Sequence, residues 1–340
     1  MIDPMDVVLV GATGAVGQEM LRVLEQRAFP VRRLRVVASP RSAGGTVAFR
    51  GEALVLEPPS AGVFDGAAVA LFSAGSSIAR EWGPVGAAAG CLVVDNSSAF
   101  RMDADVPLVV PEVNGQRIPA RGGIVANPNC STIQMLMALK PLHDLAGLDH
   151  VVVSTYQAIS GKGARAVDEF DRQQRAVQAG EAPPVAVLPG VLAGNLLADW
   201  SHDPSGFSEE ELKIVAESRK ILELAGLRIS PTCVRVPVRN AHSQSVWARF
   251  RRPISRAEAL ECLRAAPGVV VDDRVGPGQH PQPRLVSGTD DVAVGRVRQD
   301  LDDPQALSLW IVGDNLRKGA ALNAVQIAER AFGVTPSTRA

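Results

Sequence analysis

Residues 7–17 constrain the fold more than any other stretch. Val7-Val8-Leu9-Val10 is an apolar strand, and Gly11-Ala12-Thr13-Gly14-Ala15-Val16-Gly17 follows it and opens a helix over Gln18–Arg27. Met20, Leu21 and Leu24 form the inward face of that helix. Glycines at i, i+3 and i+6 let the backbone approach a pyrophosphate at the helix N-terminus and let helix and strand pack closely. Glycine-rich turns are common, but the strand before and the helix after favour dinucleotide binding over a plain turn. The second strand, Leu34–Ala38, ends in Ser39-Pro40-Arg41-Ser42, without the Asp or Glu that holds ribose hydroxyls in NAD-binding folds. Arg41 and the two serines suit a 2′-phosphate, so NADP(H) is the better cofactor, with an ordinary polar loop as the alternative.

Further apolar runs at Ala68–Phe72 and Cys91–Val94 continue the alternation with helices, which argues for a parallel sheet covered on both faces. The chain has 340 residues, enough for two domains. The first, an α/β Rossmann-type NADP-binding domain, is expected over 1–127. From about residue 150 the pattern changes: a strand at Val151–Tyr156, a helix at Ala164–Ala179, and a Pro/Gly/Ala-rich loop at Glu181–Gly206. Ser208 and Glu211 form a capping-box pattern opening another helix. Strands follow at Cys233–Val238, Val246–Phe250, Val292–Val297 and Ser308–Val312, with a loop at Gly276–Pro283. Residues 128–314 are therefore expected to form an α+β domain with a mixed, largely antiparallel sheet. The last helix, Leu316–Phe332, is expected to pack back on the first domain with the rest of 315–340.

Apolar residues make up 46% and charged residues 21%, a composition that buries a large core. The formal net charge of −1 gives no general pull toward nucleic acid or membrane. Cys91, Cys130, Cys233 and Cys262 are far apart with no CxxC pair, which speaks against structural zinc and disulfides and for a reducing compartment. The acidic start, Met1-Ile2-Asp3-Pro4-Met5-Asp6, carries no signal-peptide pattern, and no apolar run spans a bilayer. A soluble, cytoplasmic, metal-free protein is expected.

Asn127-Pro128-Asn129-Cys130-Ser131-Thr132-Ile133-Gln134 sets a cysteine where a loop turns into a helix over Ser131–Leu145. Unpaired N–H groups and the helix dipole there favour a thiolate, which can attack a carbonyl carbon. A buried, inert cysteine is the alternative. A thiol acting with NADP(H) on a carbonyl needs an acid/base. Among the histidines, His242 differs from His143, His150, His202 and His280: it ends a strand that runs through Arg235 into Arg239-Asn240-Ala241-His242-Ser243. Arg235 suits bidentate grip of a carboxylate. By spacing alone, an Arg/His pair seven residues apart is unremarkable, and surface placement of both is the better reading.

Together with Gly11–Gly17, the runs Ser39–Gly44, Asp95-Asn96-Ser97-Ser98-Ala99-Phe100-Arg101, Asn127–Gln134, Ser154-Thr155-Tyr156-Gln157, Cys233–Ser243 and Asp314-Asn315-Leu316-Arg317-Lys318-Gly319 closely resemble the aspartate-β-semialdehyde dehydrogenases. The matches come in order over nearly the whole chain. The resemblance implies conversion of L-aspartyl 4-phosphate and NADPH to L-aspartate 4-semialdehyde, NADP+ and phosphate, on the route to lysine through diaminopimelate, methionine, threonine and isoleucine. It implies Cys130 as nucleophile, His242 as acid/base and Gln157 as the residue orienting the acyl intermediate. Arg235 then clamps the substrate carboxylate and Glu210 its amino group, and Arg101 and Lys213, with Asn96 beside them, take phosphate. Gly11, Thr13, Gly14, Ala15, Val16, Arg41, Ser42, Ser160, Gly161 and Asn315 align with cofactor contacts. A homodimer is also implied.

Spacing alone gives a different account of Glu210 and Lys213, which share a helical face with Glu217 and Lys220 and read as a solvated ion-pair row. Ala241 stands where the family usually has glycine, and would be strained if the position needs positive φ. Lys162 stands where a small residue is usual, and the 181–206 loop matches poorly. Two rival functions are a related acyl-phosphate reductase, such as one acting on N-acetylglutamyl phosphate, and a catalytically silent nucleotide-binding relative.

Overall fold

The structure is a computed structural model that describes residues 2–120 and 122–335. The chain divides into two compact units, one holding residues up to Pro128 and those from Ala320 on, the other Asn129–Gly319. Residues 336–340, within the tail expected to pack back, lie outside the described residues.

In the first unit, β1 (Met5–Val10) leads into α1 (Ala15–Gln26), then β2 (Val31–Val37), β3 (Thr46–Phe49), β4 (Glu52–Glu57), β5 (Val69–Phe72), α2 (Ser76–Ala88), β6 (Leu92–Asp95), α3 (Pro111–Asn114) and β7 (Gly123–Ala126). The sheet order is β3-β4-β2-β1-β5-β6-β7. Every pairing is parallel except β3 with β4, an antiparallel hairpin at the edge. Each residue of β1, β5 and β6 is buried, as strands covered on both faces must be.

In the second unit, α4 (Cys130–Ala146) is followed by β8 (Leu148–Gln157), α5 (Ala164–Ala179), α6 (Glu209–Leu222), β9 (Arg228–Arg235), β10 (His242–Phe250), α7 (Arg256–Ala265), β11 (Val269–Asp272), α8 (Pro283–Val286), β12 (Val292–Gln299) and β13 (Ala306–Gly313). The sheet order is β11-β12-β13-β10-β8-β9, with β8–β9 and β11–β12 parallel and the rest antiparallel. The capping box is formed: Ser208 accepts the Glu211 N–H, and Glu211 reaches back to the Ser208 N–H. Helix α4 is more deeply buried than its apolar spacing suggested. Met135, Ala138 and Leu139 are covered along with Ile133, Leu136, Met137 and Leu142, because α4 packs on the sheet and against α6 and α7.

The final helix, α9 (Leu322–Phe332), is preceded by a π-turn over Arg317–Ala321, so the predicted single helix is broken near its start. Leu322, Val325 and Ile327 of α9 join Val7, Leu9, Val69 and Leu71 in the core of the first unit. Glu329 takes two hydrogen bonds from Arg27, at 2.7 and 2.8 Å. No described helix is long and apolar enough to cross a membrane.

Candidate active site

In the second unit, strand register brings three of the singled-out side chains into one row. Gln157 stands opposite Arg235 across β8 and β9. Ser243 stands opposite Tyr156 across β10 and β8, which sets His242 beside Gln157, and His242 is itself opposite Gly313 of β13. Side chains alternate across a sheet, so Arg235, Gln157 and His242 lie on the same face. All three are buried.

One peptide just past β8 joins them. The Ala158 N–H donates to His242 Nδ1 at 2.9 Å, and the Ala158 carbonyl accepts from an Arg235 guanidinium N–H at 2.8 Å. A neutral imidazole whose Nδ1 accepts must carry its proton on Nε2. That Nε2 has no hydrogen-bond partner among the described residues. Burial pushes the His242 pKa well below the ordinary imidazole value, and the Arg235 charge pushes it the same way. Gly161 sits against both: a Cβ there would be 3.5 Å from the Arg235 guanidinium and from the His242 ring.

Cys130 is the first residue of α4 and is partly exposed. Its predecessor Asn129 caps the helix by accepting the Ser131 N–H at 2.9 Å. Helix α6 holds this turn with two carboxylates. Glu210 Oε1 accepts from the Asn129 amide at 2.8 Å and from the Gln157 amide at 3.1 Å, and Glu217 accepts the Asn129 backbone N–H at 2.7 Å. The solvated ion-pair row expected from spacing is therefore wrong: Glu210 is 5% and Glu217 1% exposed, because that face of α6 packs on α4. Lys213 does lie near Glu210, at 3.5 Å. The other thiols are unlike a nucleophile, since burial pushes Cys91 up to about 11 and Cys233 to about 12, and raises Cys262 as well.

Ser160 and Asn315 meet beside this row. The Asn315 amide donates to the Ser160 hydroxyl at 2.9 Å, and Asn315 Oδ1 accepts the Ala241 N–H at 3.0 Å. Ala241 has φ 69°, so the position does need left-handed backbone. The poorly matched loop contributes two residues that spacing could not reveal. Leu197 pairs with Arg235 through both main-chain hydrogen bonds, at 2.7 and 3.1 Å, and this delivers Asp199 and Trp200 to the guanidinium. Arg235 donates to Asp199 at 3.4 Å and lies over the Trp200 ring at 4.6 Å. Lys162 donates to the same Asp199 carboxylate at 2.9 Å.

In the first unit, Gly11 has φ 88°, and a Cβ there would stand 2.8 Å from the Ala74 nitrogen. A Cβ on Gly17 would overlap the Gly11 carbonyl oxygen, so both glycines are required by packing. Gly14 is not: it is the N-cap of α1, and with exposed Thr13 and half-buried Ala15 and Val16 it leaves the helix N-terminus open to an anion. Arg41 is exposed and Ser42 half-buried in the turn after β2. The acid opposite the end of β2, Glu57, is held by Arg35 at 2.6 and 3.0 Å. Arg101 is buried and donates to the Asn96 carbonyl at 3.0 Å, and the Asn96 side chain accepts from Asn127 at 2.6 Å.

Two family models match the chain: "Semialdehyde dehydrogenase, NAD binding domain" over residues 6–120 and "Semialdehyde dehydrogenase, dimerisation domain" over residues 139–318. Aspartate-semialdehyde dehydrogenase of Prochlorococcus marinus is 47% identical, covering 96% of this chain and 95% of its own length. That of Aquifex aeolicus is 48% identical, covering 95% and 96%. The crystal structure of aspartate semialdehyde dehydrogenase II from Vibrio cholerae, complexed with ASA, superposes with a TM-score of 0.92 at 40% identity, covering 96% of this chain and 98% of that one. The Candida albicans enzyme with NADP superposes with a TM-score of 0.76 at 25% identity, covering 98% and 100%. Row, helix start and glycine turn thus occur in a chain that is alike end to end, and it belongs to the aspartate-semialdehyde dehydrogenase family.

Proposed function

We propose that the chain catalyses NADPH-dependent reductive dephosphorylation of L-aspartyl 4-phosphate to L-aspartate 4-semialdehyde through a thioester on Cys130. It would serve lysine (diaminopimelate), methionine, threonine and isoleucine synthesis. The carrying observation is the row of Arg235, Gln157 and His242 gathered around the Ala158 peptide.

Cys130 Sγ attacks the acyl carbon, and the C–O bond to phosphate breaks with its electron pair leaving on phosphate, which takes up a proton. The helix start favours the thiolate needed for this. Gln157, fixed by Glu210, orients the acyl group. As the carbonyl oxygen becomes an oxyanion, His242 Nε2 is the atom that holds a proton toward it. A nicotinamide held by Ser160, Gly161 and Asn315 would supply the hydride that reduces the thioester carbon. Cys130 then leaves as thiolate and the aldehyde is released. Arg235 binds the α-carboxylate and Glu210 the ammonium; Arg101, Asn96 and Lys213 are assigned to phosphate.

For the cofactor, the open N-terminus of α1 suits a pyrophosphate, with Gly11, Thr13, Gly14, Ala15 and Val16 around it. Arg41 and Ser42 suit a 2′-phosphate, and Glu57, opposite the end of β2, is already committed to Arg35, which supports NADP over NAD. Ser160, Gly161 and Asn315 are assigned to the nicotinamide end. A homodimer is supported by the open face of the second sheet, opposite the helices. It carries exposed Val152 and Tyr156, with Tyr156 and Trp310 rings 5.5 Å apart.

The test is NADP+ reduction with aspartate semialdehyde, with and without phosphate, alongside N-acetylglutamate semialdehyde and NAD+. Phosphate-dependent turnover of aspartate semialdehyde is expected, lost in Cys130→Ala. Activity surviving in that variant, or preference for the acetylated substrate, would refute the assignment.

A further inference from the structure

Lys162 and Asp199 form a charge pair with no role in the chemistry above. Asp199 has a side chain of 0% exposure, and its Oδ2 accepts from Lys162 at 2.9 Å and from Arg235 Nε at 3.4 Å. Lys162 also donates to the Asp199 carbonyl at 3.2 Å. Asp199 Oδ1 has no hydrogen-bond partner among the described residues. Arg235 is itself 4% exposed, with its remaining fixed contacts to the Ala158 carbonyl and the Trp200 ring.

A buried carboxylate beside a carboxylate-binding guanidinium opposes its task. It cancels the positive charge and repels an incoming anion, and burial strengthens both effects. Lys162 reverses this: with it, the trio Lys162, Asp199 and Arg235 keeps a net positive charge. The shorter contact commits Asp199 to the lysine, while the longer one steers the guanidinium.

We infer that Lys162 and Asp199 are positioning residues that set how strongly Arg235 grips the α-carboxylate of the substrate. Asp199 fixes the orientation of Arg235, and Lys162 neutralises Asp199. This rests on the proposed assignment of Arg235 as the carboxylate clamp.

The test uses the full chain with Lys162→Met, Lys162→Arg, Asp199→Asn and the double variant K162M/D199N. Lys162→Met is expected to raise KM for aspartate semialdehyde about 10-fold, close to 1.4 kcal/mol of lost attraction, with kcat within about twofold. Lys162→Arg keeps the charge and the wild-type KM. The double variant, with no acid left to neutralise, returns KM to within about threefold of wild type, a rescue that a merely structural lysine would not give. KM for NADP+ stays unchanged throughout. Lys162→Met with unaltered KM, or a double variant worse than the single, would overturn the inference. L-aspartate titrated as a binding probe reads the same charge pair without turnover. A wild-type protein that binds L-aspartate but turns over no semialdehyde would sink the reaction and leave the pair to be judged by the same ranking of variants. No binding to wild type would sink both.

Discussion

Gly319 lies against Cys130 so closely that a Cβ built on it would stand 2.8 Å from the Cys130 Cβ. The turn after β13 therefore fixes how far the first residue of α4 can move. Gly319→Ala must displace Cys130, and if Cys130 is the proposed nucleophile a shift of about 1 Å costs about 100-fold. We expect kcat/KM to fall by about that factor while NADP+ affinity stays within threefold. Wild-type kcat/KM in the variant would mean the contact has no bearing on the thiol.

His242 carries a second expectation, in its pH dependence. Its pKa is depressed in the folded protein, chiefly by burial, while the unfolded ring titrates near the usual 6.5. Below that pH the unfolded chain binds a proton that the native ring refuses, so the stability present above pH 6.5 is lost as pH falls toward the native pKa. The slope is about 1.4 kcal/mol per pH unit while the native ring stays neutral. Urea unfolding of wild type and His242→Gln from pH 8 to 5 should show this extra acid sensitivity in wild type alone. Parallel curves would contradict a buried neutral ring.

Glu217 tests the support beneath the proposed nucleophile. Its carboxylate accepts the N–H of Asn129, one residue before Cys130. Glu217→Ala leaves that N–H unsatisfied in a buried setting, costing about 1–3 kcal/mol. Glu217→Gln keeps a carbonyl acceptor and is expected to recover most of the stability in the same unfolding measurement. Equal losses in both variants would assign the effect to charge instead.

Much of this site is visible in the order of residues, because strand and helix signals place Cys130 at a helix start and Gln157 at a strand end; His242, which reads as part of a polar loop, instead opens β10. Other parts were hidden for physical reasons. The β3–β4 hairpin turns at Arg50-Gly51, both with positive φ (51° and 80°), where Asn-Gly would have announced the turn. Arg50 is held there by stacking on Phe49 and donating to the Phe29 carbonyl, contacts no local pattern reports. Glu210 and Glu217 read as solvated because i, i+3 and i+4 charges normally are; only the packing of α6 on α4 reverses that. Asp199 sits in a stretch without periodicity, and its meeting with Arg235 and Lys162 depends on pairing across 36 and 37 residues.

Ala241 shows what one methyl costs at a left-handed position. At φ 69° a non-glycine residue is strained by about 1–3 kcal/mol. Its side chain, 1% exposed against Val286 and Val312, returns about 0.8 kcal/mol of burial, and alanine also restricts the unfolded chain more than glycine. Ala241→Gly should therefore change stability by less than about 2 kcal/mol. A β-branched side chain has no comfortable rotamer there. Ala241→Val should lose more than about 2 kcal/mol in thermal unfolding and reduce kcat, since the Ala241 N–H anchors Asn315 beside His242. Easy acceptance of valine would show that the φ is not enforced.

The open face of the second sheet yields the last prediction. Helices α4, α6 and α7 lie on the face that carries Gln157 and Arg235, while the opposite face presents Val152 at 40% exposure with Tyr156, Trp247 and Trp310 around it. A partly apolar sheet face left to water is costly, and we expect a second copy of the chain to cover it. Val152→Arg would bury a guanidinium in that contact and strip it of water. Light scattering across a dilution series should give a wild-type dimer and a dimer at least 10-fold weaker in the variant, a loss of 1.4 kcal/mol or more. The side chain points away from the site face, so unfolding of the isolated protomer should change little. A monomeric wild type, or a Val152→Arg dimer of unchanged strength, would place the subunit interface elsewhere.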